Sequence, residues 1–142
     1  MRISFDERFD LPVKEVFSYF ETPRDWTRLY GLAGRVEELE DGWFAVPLRR
    51  FPFPLVARNT RVEPERLVRW TFRGFWRGEG EVFFSETSGG VTVRGYEEIS
   101  VRWLGPLSPL VEKLFLERLF RSIWKLGWSR LRKAEQARAA GG

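Results

Sequence analysis

The 142-residue sequence predicts an α+β domain: a curved, seven-stranded antiparallel sheet wrapped around a long C-terminal helix, with two short helices between strands 1 and 2. Three observations carry this. Short alternating strands, separated by turn signals, fill the middle of the chain. A single long amphipathic stripe occupies its end. The length allows one core and is too short for two ordinary ones, so residues 1–142 are read as a single domain.

The elements follow in order. Residues 2–9 alternate, with Ile3, Phe5 and Phe9 on one face and Arg2, Ser4, Asp6 and Arg8 on the other, the pattern of a half-buried strand. Pro12 then opens a short helix carrying Val13, Val16, Phe17 and Phe20 at helical spacing. Thr22-Pro23 with Asp25 three residues after Thr22 opens a second through a capping-box-like start, ending near Gly31.

Residues 33–102 read as six strands. The breaks fall at Asp41-Gly42, a tight hairpin signal, at Pro52 to Pro54, at Pro64-Glu65, at Gly74, and at Ser88-Gly89-Gly90. Val68, Trp70 and Phe72 share one face; Val91, Val93, Ile99 and Val101 share another, opposite Thr92, Arg94, Tyr96, Glu98 and Ser100. Phe51-Pro52-Phe53-Pro54 reads as a rigid loop, because two prolines remove ladder donors. Ser108-Pro109 starts the final helix, which runs to about Ala139. Its stripe is Leu116, Leu119, Phe120, Ile123, Trp124, Gly127, Leu131 and Ala134. Leu107, Leu110, Val111 and Leu114 point nearly opposite to that stripe in a regular helix.

Composition narrows the chemistry. Forty-three per cent of the residues are hydrophobic, enough to fill a core without staples. The chain has neither Cys nor His, which removes disulfides, thiolates and the commonest general base and metal ligand. A transition-metal site would have to use carboxylates alone, so no metal and no cofactor is expected. The net charge of +4 is spread along the chain, which reads as a solvated surface. Arg and Glu are abundant while Asn, Gln and Met occur once each, a composition that suits a heat-adapted source. Charges at Arg2, Asp6, Glu7 and Arg8 leave no room for a signal peptide, so a cytoplasmic protein is expected.

Four stretches carry a resemblance: Leu11-Pro12-Val13-Lys14-Glu15-Val16-Phe17 with Trp26 downstream; Val62-Glu63-Pro64-Glu65-Arg66-Leu67; Gly90-Val91-Thr92-Val93; and Pro106-Leu107-Ser108-Pro109-Leu110 leading to Arg130-Leu131-Arg132-Lys133. In this order and spacing the chain resembles the START-like superfamily, which includes polyketide cyclase/dehydrase-like proteins, birch-pollen-allergen-like carriers and coenzyme Q-binding chaperones. The resemblance implies a helix-grip fold with a cavity between sheet and helix that takes lipids, polyketides, isoprenoids or similar molecules, and no particular ligand.

The candidate ligand-binding residues come from inward parity. Phe44, Trp70, Phe72, Trp76 and Phe84, with Val46, Val82 and Val93 beside them, would line such a cavity; plain core packing explains each equally well. Gly78 and Gly80 on the same parity would leave room for a ligand or mark bulges. Leu110 and Leu114, beside Phe51–Pro54 and Gly74–Trp76, would form a hydrophobic portal for ligand entry or transient membrane contact, unless the helix merely kinks there. Arg58 and Glu97 interrupt inward faces and would fix a polar head group, or be turned outward by a bulge or tied in an ion pair. No catalytic residue is assigned.

The leading expectation is therefore a carrier of a hydrophobic small molecule such as a quinone, fatty acid or isoprenoid. The alternative is a cyclase/dehydratase-type enzyme, for which only Glu97, Tyr96, Arg58 or an unnoticed Asp could supply acid–base groups; the lack of His weighs against it. Nucleic acid is disfavoured, because the strand aromatics mostly share the inward parity. Nothing in the sequence calls for an assembly beyond a monomer or weak dimer.

Overall fold

The computed structural model of the chain describes residues 1–30, 35–48, 53–101 and 115–141. Seven strands form one sheet: β1 (Arg2–Phe9), β2 (Glu37–Glu38), β3 (Phe44–Val46), β4 (Leu55–Glu63), β5 (Leu67–Arg73), β6 (Trp76–Thr87) and β7 (Gly90–Val101). Their spatial order is β1-β7-β6-β5-β4-β3-β2, every pair antiparallel. Helices α1 (Val13–Ser18) and α2 (Trp26–Tyr30) lie between β1 and β2 in the chain, and α3 (Glu117–Gly141) follows the sheet. The predicted α+β architecture is present.

Local chemistry accounts for the breaks. Between β2 and β3, Asp41 (φ 56°, ψ 34°) and Gly42 (φ 78°) take the dihedrals of a type I′ hairpin turn, closed by the Trp43 N–H on the Glu40 carbonyl at 3.1 Å. Pro12, with φ −61° and ψ 141°, stands as the extended residue just before α1, whose Val13, Val16 and Phe17 are buried. The Thr22–Asp25 box forms reciprocally: the Asp25 N–H donates to Thr22 Oγ1 (3.3 Å) and the Thr22 N–H to Asp25 Oδ2 (3.2 Å).

The start predicted for the long helix at Ser108, with Leu107, Leu110, Val111 and Leu114, lies outside the described residues. From Leu116 onward the stripe holds, with Leu116, Phe120, Trp124, Gly127 and Leu131 buried. Gly127 is small for a reason. A Cβ there would stand 3.0 Å from Leu29, so its absence lets α3 press against α2.

The concave face of the sheet and the inner stripe of α3 share one aromatic core. Trp124 stacks on Phe5 with ring centroids 4.5 Å apart and on Trp128 at 5.3 Å. Trp128 in turn meets Phe9 and Phe20, a role the stripe reading missed. Glu7 on β1 also has inward parity, but it sits at the rim, where Arg132 of α3 pairs with it at 3.1 Å.

Strand β4 corrects the sequence reading. Its inward residues are Leu55, Ala57 and Asn59, which lie opposite Phe72 and Trp70 of β5, so Val56 and Arg58 face outward. Apolar residues occupy both parities there, and a bulge between Asn59 and Arg61 shifts the phase mid-strand. Alternation alone could not choose the face.

Candidate functional site

The described interior holds one charged side chain. Among the described residues Glu97 alone is a buried polar or charged residue, 4 % exposed. It stands on the inward face of β7, between Ile3 of β1 and Gly80 of β6. Two indoles reach it from opposite layers: Trp70 Nε1 of β5 donates to Oε2 at 3.3 Å, and Trp124 Nε1 of α3 donates to Oε1 at 3.2 Å. The carboxyl thus pins helix to sheet. Burial pushes its pKa up to about 7, and the two N–H donors, which favour the ionised form, only partly oppose that. Among the described residues no charged neighbour contributes to the shift.

Gly80 makes this arrangement possible. A Cβ at that position would fall 2.4 Å from the Trp70 ring, so the glycine is the seat of the indole and not open room. Gly78, at φ 143°, would place a Cβ 1.9 Å from the Glu98 carbonyl and is a backbone requirement. Of the two readings open for these glycines, ligand room or a bulge, ligand room fails at both positions.

The predicted lining residues fall into four groups. Val46, Trp70, Phe72, Trp76, Val82, Phe84, Val93 and Glu97 all point into the interior and are buried. The aromatic ones meet other rings: Phe84 edges onto Phe17 and Phe20, Trp70 and Phe72 onto Trp26, and Trp76 onto Phe120 at 5.1 Å. Phe44 is inward but only half-buried, near the sheet edge, with the Arg24 guanidinium 5.9 Å over its ring.

Arg58 does not belong with them. It lies on the convex face over the Trp43 ring (4.9 Å), with Arg73 over the same ring at 4.2 Å. Tyr96 is likewise on the convex face, under the Arg2 guanidinium, and burial followed by Glu79, Glu81 and Glu98 raises its pKa. Leu110 and Leu114 lie outside the described residues, as do Phe51 and Pro52. Of the acid–base candidates, only Glu97 remains inside.

Sequence reasoning found Glu97 because it breaks the Val93–Ile99–Val101 face. It missed what Trp124 does. That residue was legible as helix stripe, but the direction of its indole N–H was not. Asn59 was also missed; its amide donates to the Glu21 carbonyl at 2.6 Å and its Oδ1 is buried without a partner among the described residues.

Fold and site together define an α+β sheet-and-helix-grip domain with an aromatic interior and a buried carboxyl at Glu97. The model of a single family, described as polyketide cyclase / dehydrase and lipid transport, matches residues 2–135, and the chain belongs to that family. No curated protein matches the sequence. Among solved structures, the chain is similar to the Zhui aromatase/cyclase from Streptomyces sp. R1128, at 15 % identity and TM-score 0.76, over 100 % of this chain and 98 % of that one. It is similar to a protein of Thermus thermophilus at 13 % identity and TM-score 0.72, over 96 % and 98 % of the two chains. It is also similar to the Aha1 dimer from Colwellia psychrerythraea, at 10 % identity and TM-score 0.68, over 95 % and 96 %. At these identities the likeness is one of fold.

Proposed function

We propose that the protein binds and carries a hydrophobic small molecule between its sheet and α3, with Glu97 as the polar point of the site. The observation that supports this most is the Trp70–Glu97–Trp124 bridge. A carboxyl buried with no cation among the described residues costs stability, and a fold that needed only a core would put an apolar residue there. A ligand hydroxyl or carbonyl could use the lone pairs or the proton that the two indoles leave free. The described rings already touch, so an occupant enters by parting Phe120 and Trp124 from the sheet, and uptake is coupled to movement of the first turns of α3.

Phe53, 45 % exposed, stacks on Phe75 at 4.2 Å beside the Trp76 end of the sheet. It offers an apolar tip for transient contact with a membrane that supplies the ligand. Extraction of the purified protein with organic solvent and mass spectrometry of the extract tests the reading. Recovery of a stoichiometric apolar compound, lost on heat unfolding, is expected; an empty extract together with no binding of apolar fluorescent probes rejects it.

A second reading is supported by the same carboxyl. A pKa of about 7 suits a general acid–base group at neutral pH, as a cyclase or dehydratase requires, and one fold neighbour is an aromatase/cyclase. If Glu97→Gln keeps ligand affinity but abolishes conversion of a bound polyketide-like substrate, the enzyme reading replaces the carrier.

A further inference from the structure

Among the described residues the outer edge of β1 meets no other strand, and only β7 lies beside β1. The Met1 amino group donates to the Ile99 carbonyl, and the Ile99 N–H donates to the Met1 carbonyl, both at 3.0 Å. Met1 and Ile99 therefore form a bonded pair, and the unbroken register from Arg2↔Glu98 to Phe9↔Val91 fixes the alternation that follows. Ile3, Phe5, Glu7 and Phe9 turn their backbone groups toward β7. Arg2, Ser4, Asp6 and Arg8 turn theirs to the open side. The Arg8 carbonyl confirms the parity, because Arg132 Nη1 of α3 reaches it from that side.

Among the described residues, cover is seen at one end of the edge. Arg132 covers Arg8, and the next residue but one, Asp10, gives its N–H to Glu135 at 2.5 Å. From Arg2 to Asp6 no described residue meets the outward N–H and C=O groups. Proteins often blunt an open edge with proline, a bulge, charges or a covering segment; among the described residues this stretch has no proline, bulge or cover, and its charges, Arg2 and Asp6, are of opposite sign. A groove of about 270 Å³ runs beside it, between Ile3–Glu7 and the Arg121–Trp128 side of α3.

The charges select the occupant. On the convex face Arg2 pairs with Glu98 at 2.7 Å and Asp6 with Arg94 at 3.1 Å, all four side chains being roughly half exposed or more. If a second copy lies antiparallel with Ser4 facing the partner's Ser4, then Arg2 faces the partner's Asp6 and Asp6 faces the partner's Arg2. The row across the seam reads Arg94, Asp6, the partner's Arg2, the partner's Glu98, with signs strictly alternating. A parallel copy, or a register slipped by two residues, loses that match. Opposite charges directly across antiparallel strands stabilise and like charges destabilise.

We propose that the protein forms a two-fold dimer through β1, joining two seven-stranded sheets into one. Three facing pairs along the seam exchange two main-chain hydrogen bonds each. The interface is small, so the dimer is weak and reversible.

Sedimentation equilibrium over a wide range of concentration tests this. Wild type is expected to dimerise in a concentration-dependent way. Ser4→Pro removes an N–H that points away from β7, leaves the β1–β7 ladder intact, and is expected to weaken the dimer roughly tenfold or more, through lost main-chain bonds. Two charge variants serve where proline perturbs folding. Asp6→Arg sets Arg against the partner's Arg2, and Arg2→Asp sets Asp against the partner's Asp6, so each alone is expected to stay monomeric. Mixed together they restore both opposite-charge pairs, and native mass spectrometry should show the heterodimer. A wild type that remains monomeric at every concentration overturns the proposal. So does a dimer indifferent to all three substitutions, or a mixture that fails to pair.

Discussion

Two carboxylates stand on the same concave face of the sheet and live under opposite physics. Glu7, at the β1 rim, is partly solvated and meets the Arg132 guanidinium at 3.1 Å. Glu97, in the middle of the face, meets no cation among the described residues and is held by two neutral indole donors. At the rim, water already offsets much of the ionic cost, so the pair mostly orients α3 and protects a strand edge. In the middle, burial dominates and the carboxyl is shifted toward its protonated form. The same residue type is a fastener in one place and a titrating switch in the other.

The comparison can be broken most severely at Gly80. Gly80→Ala drives a methyl into the Trp70 ring, which is fully buried and boxed by Trp26, and so dislodges the sheet-side donor of Glu97. A loss of about 3 kcal/mol or more in urea unfolding is expected, beyond the usual range for overpacking because the contact is with a rigid ring.

Next comes pH. The folded pKa of Glu97, about 7, lies above the ordinary 4.5, so the fold prefers the proton. Its favourable contribution is complete below pH 4.5, fades as pH rises, and is gone above pH 7. That amounts to at most about 3 kcal/mol between the limits. Stability of wild type minus that of Glu97→Gln, followed by chemical denaturation from about pH 4.5 to about pH 8.5, should fall over this window; a flat difference would show that the carboxyl is not desolvated as described.

Trp124→Phe sharpens the point. It keeps a ring but deletes one N–H, and should cost about 1–2 kcal/mol, with the larger loss at the alkaline end, where Glu97 is ionised. The smallest effect belongs to the rim. Glu7→Gln should change stability by less than about 1 kcal/mol, and added salt should shrink the difference further.

The sequence made the architecture legible because periodicity and turn chemistry agreed over most of the chain: the Asp41-Gly42 hairpin, the alternation of β7 and the stripe of α3 all stand as read. Glu97 was legible for the same reason, as a charge on an apolar parity. Arg58 was not, because β4 carries apolar residues on both faces and bulges after Asn59. Gly80 stayed open in the sequence because a missing side chain looks alike whether the space holds a ligand or a neighbour's indole. Only the three-dimensional position of Trp70 separates the two. The partners of Glu97 lie 27 residues away on either side, one on a strand and one on a helix, and no local pattern aligns their N–H groups.

The face-to-face pair Trp124–Trp128 has a practical corollary. Two chromophores held that close couple their electronic transitions, and the chiral couplet they produce in circular dichroism vanishes when they separate. Because one member of the pair also touches Glu97, the molecule carries its own unlabelled optical gauge. Uptake of a guest, or a change of proton at that carboxyl, can be followed in real time by the light the helix itself absorbs.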